Sequence, residues 1–428
     1  MPRDNFRDMK LCGGAYVEIH HGEAGRKPRH RPRHGGRLQM SLFLFDNKGT
    51  PVGAQKFTWR DLVGNPISKL DDDAFTRIRV ILAGALEQES LRFSHACARM
   101  NEDLRVPLAE VRRVEQHQAT MLGFLIGSDH SPLETTIAGE QAAIEVTAAA
   151  AQKEPDPYLA QTFRFGMLED FDHLFRFSAL LDRLEGKDAN NILQCYTDIL
   201  PGRPSVHVHR AARDDLRMPY DRQLAAPLSK LHVLTLLAAQ QRAQDHYLHV
   251  GPLFADPMAR QLYAEVASIK EQHVTQYESL IDPEQTWIES WLLHEAAEVY
   301  LYYGCAQQEV NPRLRELWTR FCDYELGQLH HVCELLRQAE GRDPGEILPQ
   351  QLPEPIHYAS QRDFVRKTLM QETDLRANGS EYVGTGRESP ESMGYRDHVN
   401  SGGSPSESVA LGYRWQPGTE LSRKAANS

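Results

Sequence analysis

Between Asp71 and Gly341 apolar residues recur at three- and four-residue spacing in eight long runs, and no other feature restricts the fold as much. That period is the period of a helix with one buried face. The runs are Asp73–Met100, Pro107–Ile126, Pro132–Gln152, Asp156–Leu184, Pro227–Val250, Pro257–Ile281, Pro283–Ala306 and Pro312–Ala339, punctuated by Pro, Asp and Gly clusters. A single amphipathic helix cannot bury its own stripe, so these must pack on one another. The irregular stretch 186–226, which contains YTDILPGRPSVHVHR, divides them four and four. The pattern therefore predicts an all-α chain of two tandem four-helix bundles, one within 40–185 and one within 227–345.

The flanks read differently. Residues 1–39 are basic and His-rich (RKPRHRPRHGGR), with nothing to build a core, and are expected to form a solvated arm. His20, His21, His30 and His34 could hold a metal loosely there. In MSLFLFDNKGTPVGAQKFTW two apolar runs flank a DNKG turn signal, which predicts a small β-hairpin. A further helix is expected near 361–375, within a C-terminal segment 346–377. Residues 378–428, rich in Gly, Ser, Pro and Glu, are expected to be disordered.

Composition removes several classes of function. A formal charge of −11 argues against generic nucleic-acid binding. Six cysteines without a CxxC pair suit a reducing compartment and offer no zinc knuckle. The first ten residues lack an apolar region, and no apolar run approaches the ~18 residues of a membrane span. A cytoplasmic protein with no membrane partner is expected. There is no Gly-rich phosphate loop, GxSxG elbow or HExxH.

Chemistry enters where polar residues fall inside apolar stripes. Projected at about 100° per residue, the first helix carries Glu89 on its stripe with Glu87 on the opposite side. The second carries Glu115 and Gln118. The third carries Glu140, with Glu145 further off, and the fourth carries Asp170 and His173, with Glu169 at the edge. An unpaired ionised carboxylate in an apolar core costs several kcal/mol, and no Lys or Arg lies at the centre of these four faces. Two divalent metal ions would neutralise the set; arginines from nearby loops or water at a bundle end would be the alternative. In the later helices the inward residues are Gln240, then Lys270 and His273, then Glu295 with Glu298 nearby, then Glu325, Gln328 and His331. Lys270 opposite Glu295 would put an ion pair in a metal's place. The second bundle is accordingly expected to be metal-free, with His273, Glu295, Glu325 and His331 as the weaker ligand candidates.

The order Glu89, Glu115-x-x-Gln118, Glu140, Asp170-x-x-His173 resembles the E, ExxH, E, ExxH pattern of ferritin-like di-metal carboxylate proteins, rubrerythrins included. Gln118 stands where an imidazole is expected, and Asp170 is one methylene short. The resemblance implies two tandem ferritin-like bundles, the second degenerate, and two iron or manganese ions held by Glu89, Glu115, Glu140, Asp170 and His173. It implies an oxidoreductase acting on dioxygen or peroxide with an unspecified reductant. A non-catalytic ferritin-shaped scaffold or partner-binding protein is the alternative, and a homo-oligomer is compatible with either. One feature conflicts with the family: its long crossover between second and third helices has no room in the few residues of 127–131. Outside this pattern, His207-Val-His209 with Asp214 and Asp215 reads as a polar loop rather than a metal site.

Overall fold

Side-chain caps set where the long helices begin. Asp73, Ser131, Asp156, Asp256, Thr286 and Asn311 each accept a hydrogen bond from a first-turn amide. Gly186 and Gly341, at φ +61° and +65°, end the two longest in the left-handed conformation that glycine tolerates. The computed structural model describes residues 42–127 and 129–416. In it the helices are α1 (Trp59–Leu62), α2 (Ala74–Met100), α3 (Arg105–Leu125), α4 (Pro132–Lys153), α5 (Pro157–Glu185), α6 (Asn190–Leu193), α7 (Pro227–Val250), α8 (Pro257–Glu278), α9 (Trp287–Gln308), α10 (Pro312–Glu340), α11 (Arg362–Glu372), α12 (Pro390–Val399) and α13 (Pro405–Ala410). The eight predicted runs are thus helices, within a few residues at each end. Among the described residues no helix is long and apolar enough to cross a membrane. The basic arm and its histidines lie outside the described residues.

The long helices pair as consecutive hairpins, α2 with α3, α4 with α5, α7 with α8 and α9 with α10. The hairpins then combine in a nested order rather than in tandem. Gln118 on α3 bonds Glu325 on α10, and Ser90 on α2 bonds Glu298 on α9. Lys270 on α8 bonds Glu140 on α4 and Asp170 on α5. One four-helix group is therefore α2, α3, α9 and α10, and the other, inserted within it along the chain, is α4, α5, α7 and α8. The tandem grouping is corrected by these bonds. Chain order misled because every link between neighbouring hairpins is compatible with either arrangement. The two groups meet where α2 packs on α4 and α7.

The flanking segments are also corrected. No hairpin forms at 42–57. Leu44 donates to the Gln350 carbonyl (3.0 Å) and Leu352 to the Leu42 carbonyl (2.9 Å), so the apolar run pairs with the chain that follows α10. Thr50 N–H donates to the Asp323 carbonyl (3.1 Å), and Gln55 Nε2 donates to the Tyr324 carbonyl (2.8 Å). This strap crosses α10 at Gly327, where a Cβ would stand 1.8 Å from the Thr50 oxygen. The segment beyond 378, expected to be disordered, is folded as far as 416. Strands β1 (Leu375–Asn378) and β2 (Glu381–Gly384) pair antiparallel with Leu375 opposite Gly384. Helix α13 packs on α5 and α8. The docking is polar: buried Asp214 accepts from the Gly379 amide (2.7 Å) and from the hydroxyls of Ser389 and Ser392. Buried Glu265 accepts from the Ser406 amide (2.7 Å) and hydroxyl (2.9 Å).

Candidate metal centre

The interior of the α2–α3–α9–α10 group holds five fully buried carboxylates, Glu87, Glu115, Glu295, Glu298 and Glu325. The i, i+3 spacings Glu115–Gln118, Glu295–Glu298 and Glu325–Gln328 stack two polar side chains per helix on one inward face. Glu295, Glu298 and Glu325 each offer an oxygen within 4.8 Å of the others. Four of the five acids have a neutral donor. Tyr302 donates to Glu87, Trp291 Nε1 to Glu295 (2.7 Å), Ser90 Oγ to Glu298 (2.7 Å), and Gln118 Nε2 (2.6 Å) and Gln328 Nε2 (3.1 Å) to Glu325. No ammonium or guanidinium bonds any of the four, or Glu115, among the described residues.

One oxygen of every carboxylate has no donor from an amide, hydroxyl, indole or cation, and the same holds for the amide oxygens of Gln118 and Gln328: seven buried acceptors in one place, where Glu298 and Glu325 can share a proton. Buried polar atoms in folded proteins are nearly always satisfied, so this array is exceptional. Burial, then the neighbouring Glu298 charge, push Glu87 and Glu115 well above the usual carboxylate range, Glu115 against the pull of Arg112. Burial and the neighbouring acids do the same to Glu295 and Glu325, and burial lifts Glu298 to about 7. Without a cation the cluster must hold protons.

The second interior, between α4, α5, α7 and α8, carries its own cation. Lys270 Nζ lies 2.7 Å from Asp170 and 3.2 Å from Glu140, all three fully buried. Gln240 Nε2 donates to Asp170 (2.7 Å), and the Tyr247 hydroxyl to Glu140. His273 bridges Gln240 and Glu169, its Nε2 2.6 Å from the Glu169 carboxylate, which also meets Arg203 and Arg210 at 3.2 Å. Despite burial, the charges of Lys270 and His273 hold Asp170 below the usual range, while burial leaves Glu140 at about 7. His173 makes no hydrogen bond through either nitrogen, and burial pulls it well below its ordinary value, so it is neutral. Glu140, Asp170 and His173 stand close enough to share an ion.

The candidate residues of the sequence are thus divided. Glu115, Glu295 and Glu325 share the first cluster; Glu140, Asp170, His173 and His273 share the second. Glu89 joins neither: it lies beside Arg92 (3.8 Å), half-buried. His331 is half-buried on α10, with Nε2 unbonded. Lys270 does form a buried ion pair, but with Glu140 and Asp170 rather than Glu295. Of the loop residues, Asp214 serves the C-terminal segment and Asp215 pairs Arg210 (2.6 Å).

Glu87 is the residue the projection missed. A second inward line, Val80–Ala83–Glu87–Ser90–Ser94–Cys97, runs down α2 at three- and four-residue spacing, and all six side chains are buried. Two stripes on one helix mark a helix covered on two sides, and that signal was present.

Two buried clusters in this chain, Glu140 with Asp170 and His173, and Glu295 with Glu298 and Glu325, could hold metal ions. No protein-family model, curated protein or solved structure matches the chain.

Proposed function

We propose that the chain is a ferritin-like di-metal carboxylate protein whose centre lies among α2, α3, α9 and α10, and that it acts as an oxidoreductase on dioxygen or peroxide. The observation that carries this reading is the array of seven buried oxygens without an amide, hydroxyl or indole donor around five carboxylates, with no cation bonded to them among the described residues. The donor set fits a metal: it is all oxygen, which suits hard ions such as iron(II) or manganese(II) rather than zinc or copper. Glu87, Glu115, Glu295, Glu298 and Glu325 would hold the ions, with the Gln118 and Gln328 carbonyls at the positions where the family pattern has imidazole. The order Glu87, Glu115-x-x-Gln118, Glu295 or Glu298, Glu325-x-x-Gln328 follows that pattern along the nested group.

The connections support the same reading. In the nested order a long crossover does separate the second and third helices of each group. It is 186–226 in one and the whole inner group in the other, which removes the conflict over 127–131. The inner group follows the pattern as Glu140, Asp170-x-x-His173, Gln240 and Lys270-x-x-His273, with an ammonium in place of an acid. There the scaffold alternative applies: Lys270 satisfies the carboxylates, and that half is a metal-free support.

A redox-active ion held by Glu87, Glu115, Glu295, Glu298 and Glu325 would supply electrons, renewed by an external reductant, for reducing dioxygen or peroxide. The chain's part is to neutralise the ion's charge, to keep water out, and to hold protons near it. Tyr302 and Ser90 fix Glu87 and Glu298 by hydrogen bonds, and the unbonded oxygens stay free to change partners.

Metal analysis of the full chain after anaerobic loading with Fe(II) tests this. About two ions per chain are expected, as for the family's paired sites. They should be lost in Glu298→Ala and Glu325→Ala and retained in Glu140→Ala. Equal binding by wild type and both cluster variants would refute the site. Metal binding without oxygen consumption would refute the oxidoreductase and leave the metal.

A further inference from the structure

Where α2, α4 and α7 meet, a cleft that opens to solvent offers about 60 Å³ to the centre of a water-sized sphere. A mostly apolar wall with a few polar groups is the usual lining of a small-molecule site. Ile81, Leu82, Ala142, Ala239 and Ala243 form much of the wall, and Arg242 is the one Lys or Arg among its lining residues. His246 and Tyr247 also line it but bring no charge: His246 Nε2 bonds Thr136 Oγ1 (2.7 Å) and burial pulls its pKa to about 4, and the Tyr247 hydroxyl donates to Glu140.

The Arg242 guanidinium is half-buried, and among the described residues it has no hydrogen bond and no ion pair. Asp245, the acid whose charge it feels, is bonded to Arg92. Gly84 makes room for it: a Cβ there would lie 2.6 Å from Arg242 Nη1. A guanidinium remains charged under nearly all conditions, and its fork of donors matches a carboxylate. Held against apolar side chains without a counter-ion, it has lost hydration that nothing in the chain replaces.

We propose that this cleft binds a small apolar monocarboxylate, with the carboxylate on Arg242 and the hydrocarbon along the alanine-rich wall. A single guanidinium without a second cation suits one negative charge better than the two of a phosphate monoester. This site touches the second carboxylate cluster only through Tyr247, shares nothing with the first, and does not rest on the metal reading.

Calorimetric titration of the full chain with octanoate tests the proposal. Saturable binding is expected, weakened about tenfold or more in Arg242→Gln, the loss of one charge-assisted contact. Octan-1-ol, with the same chain length and no charge, should bind correspondingly less well. Absence of saturable octanoate binding, or equal binding by Arg242→Gln, or equal binding of the alcohol, each overturns it. Should Arg242→Gln fail to fold, Ala143→Leu narrows the cleft without touching the charge. It should weaken octanoate binding, and undiminished binding to that variant also overturns the proposal.

Discussion

Lys270 holds its ammonium 2.7 Å from the Asp170 carboxylate with neither side chain exposed. The same nitrogen reaches Glu140, so one lysine bonds a pair of acids contributed by two other helices. Removing only the cation leaves buried charge behind. Lys270→Met should destabilise the protein by about 3–5 kcal/mol in urea unfolding. Adding Glu140→Gln and Asp170→Asn should recover part of that loss. In Lys270→Ala, Co(II) should bind at Glu140, Asp170 and His173 and raise the unfolding midpoint; no shift with Co(II) would show that the lysine blocks nothing.

The first cluster sets a pH dependence. Glu298 titrates at about 7 in the folded protein against 4.5 for a free side chain, and Glu87, Glu115, Glu295 and Glu325 are raised in the same direction. Between those values the folded state binds more protons than the unfolded state, so stability falls as pH rises. The metal-free protein should therefore lose several degrees of Tm between about pH 4.5 and 7, and more above it. Metal binding at the cluster would displace these protons and strengthen with pH. Mn(II) should flatten or reverse the slope, as calorimetric scans with and without the ion would show.

Truncation after Glu388 removes the serine donors of Asp214 and Glu265 and leaves both acids facing a stripped surface. A loss of at least about 3 kcal/mol is expected from the broken network. Ser406→Ala alone should cost about 1–2 kcal/mol. Chemical denaturation of the three proteins measures both, and an unchanged midpoint for the truncated chain would mean that the segment only rests on the surface.

Gly327→Ala should release the 42–57 strap, because the new methyl would collide with backbone rather than with a flexible side chain. A cost of about 2–4 kcal/mol is in line with overpacked sites. Hydrogen exchange should show the Thr50 amide, bonded to Asp323 in the wild type, losing its protection.

Helix positions were legible because they depend on local chemistry: an Asp, Ser or Thr cap, a proline in the first turn, a glycine at the end. Partnership was not. Which hairpin lies beside which depends on matching faces far apart in the chain, and Gln118 meets Glu325 across 207 positions. The misreading of Glu87 and Glu89 has a related cause. Residues 74–87 of α2 are all buried, so a projection that assumes one wet face selects the wrong acid. The C-terminal segment was illegible for the opposite reason. Serines and glycines have no hydrophobic period, and Ser392 and Ser406 are held by buried carboxylates that no apolar pattern reveals.

The nested order has a consequence for synthesis. Glu87 and Glu115 emerge from the ribosome long before Glu325, and every element of the inner group is made in between. Chains fold as they are made, early units first. The inner group can close on its own lysine while the outer acids wait for α9 and α10. The first carboxylate cluster is then assembled only after the inner group, once α10 has been made.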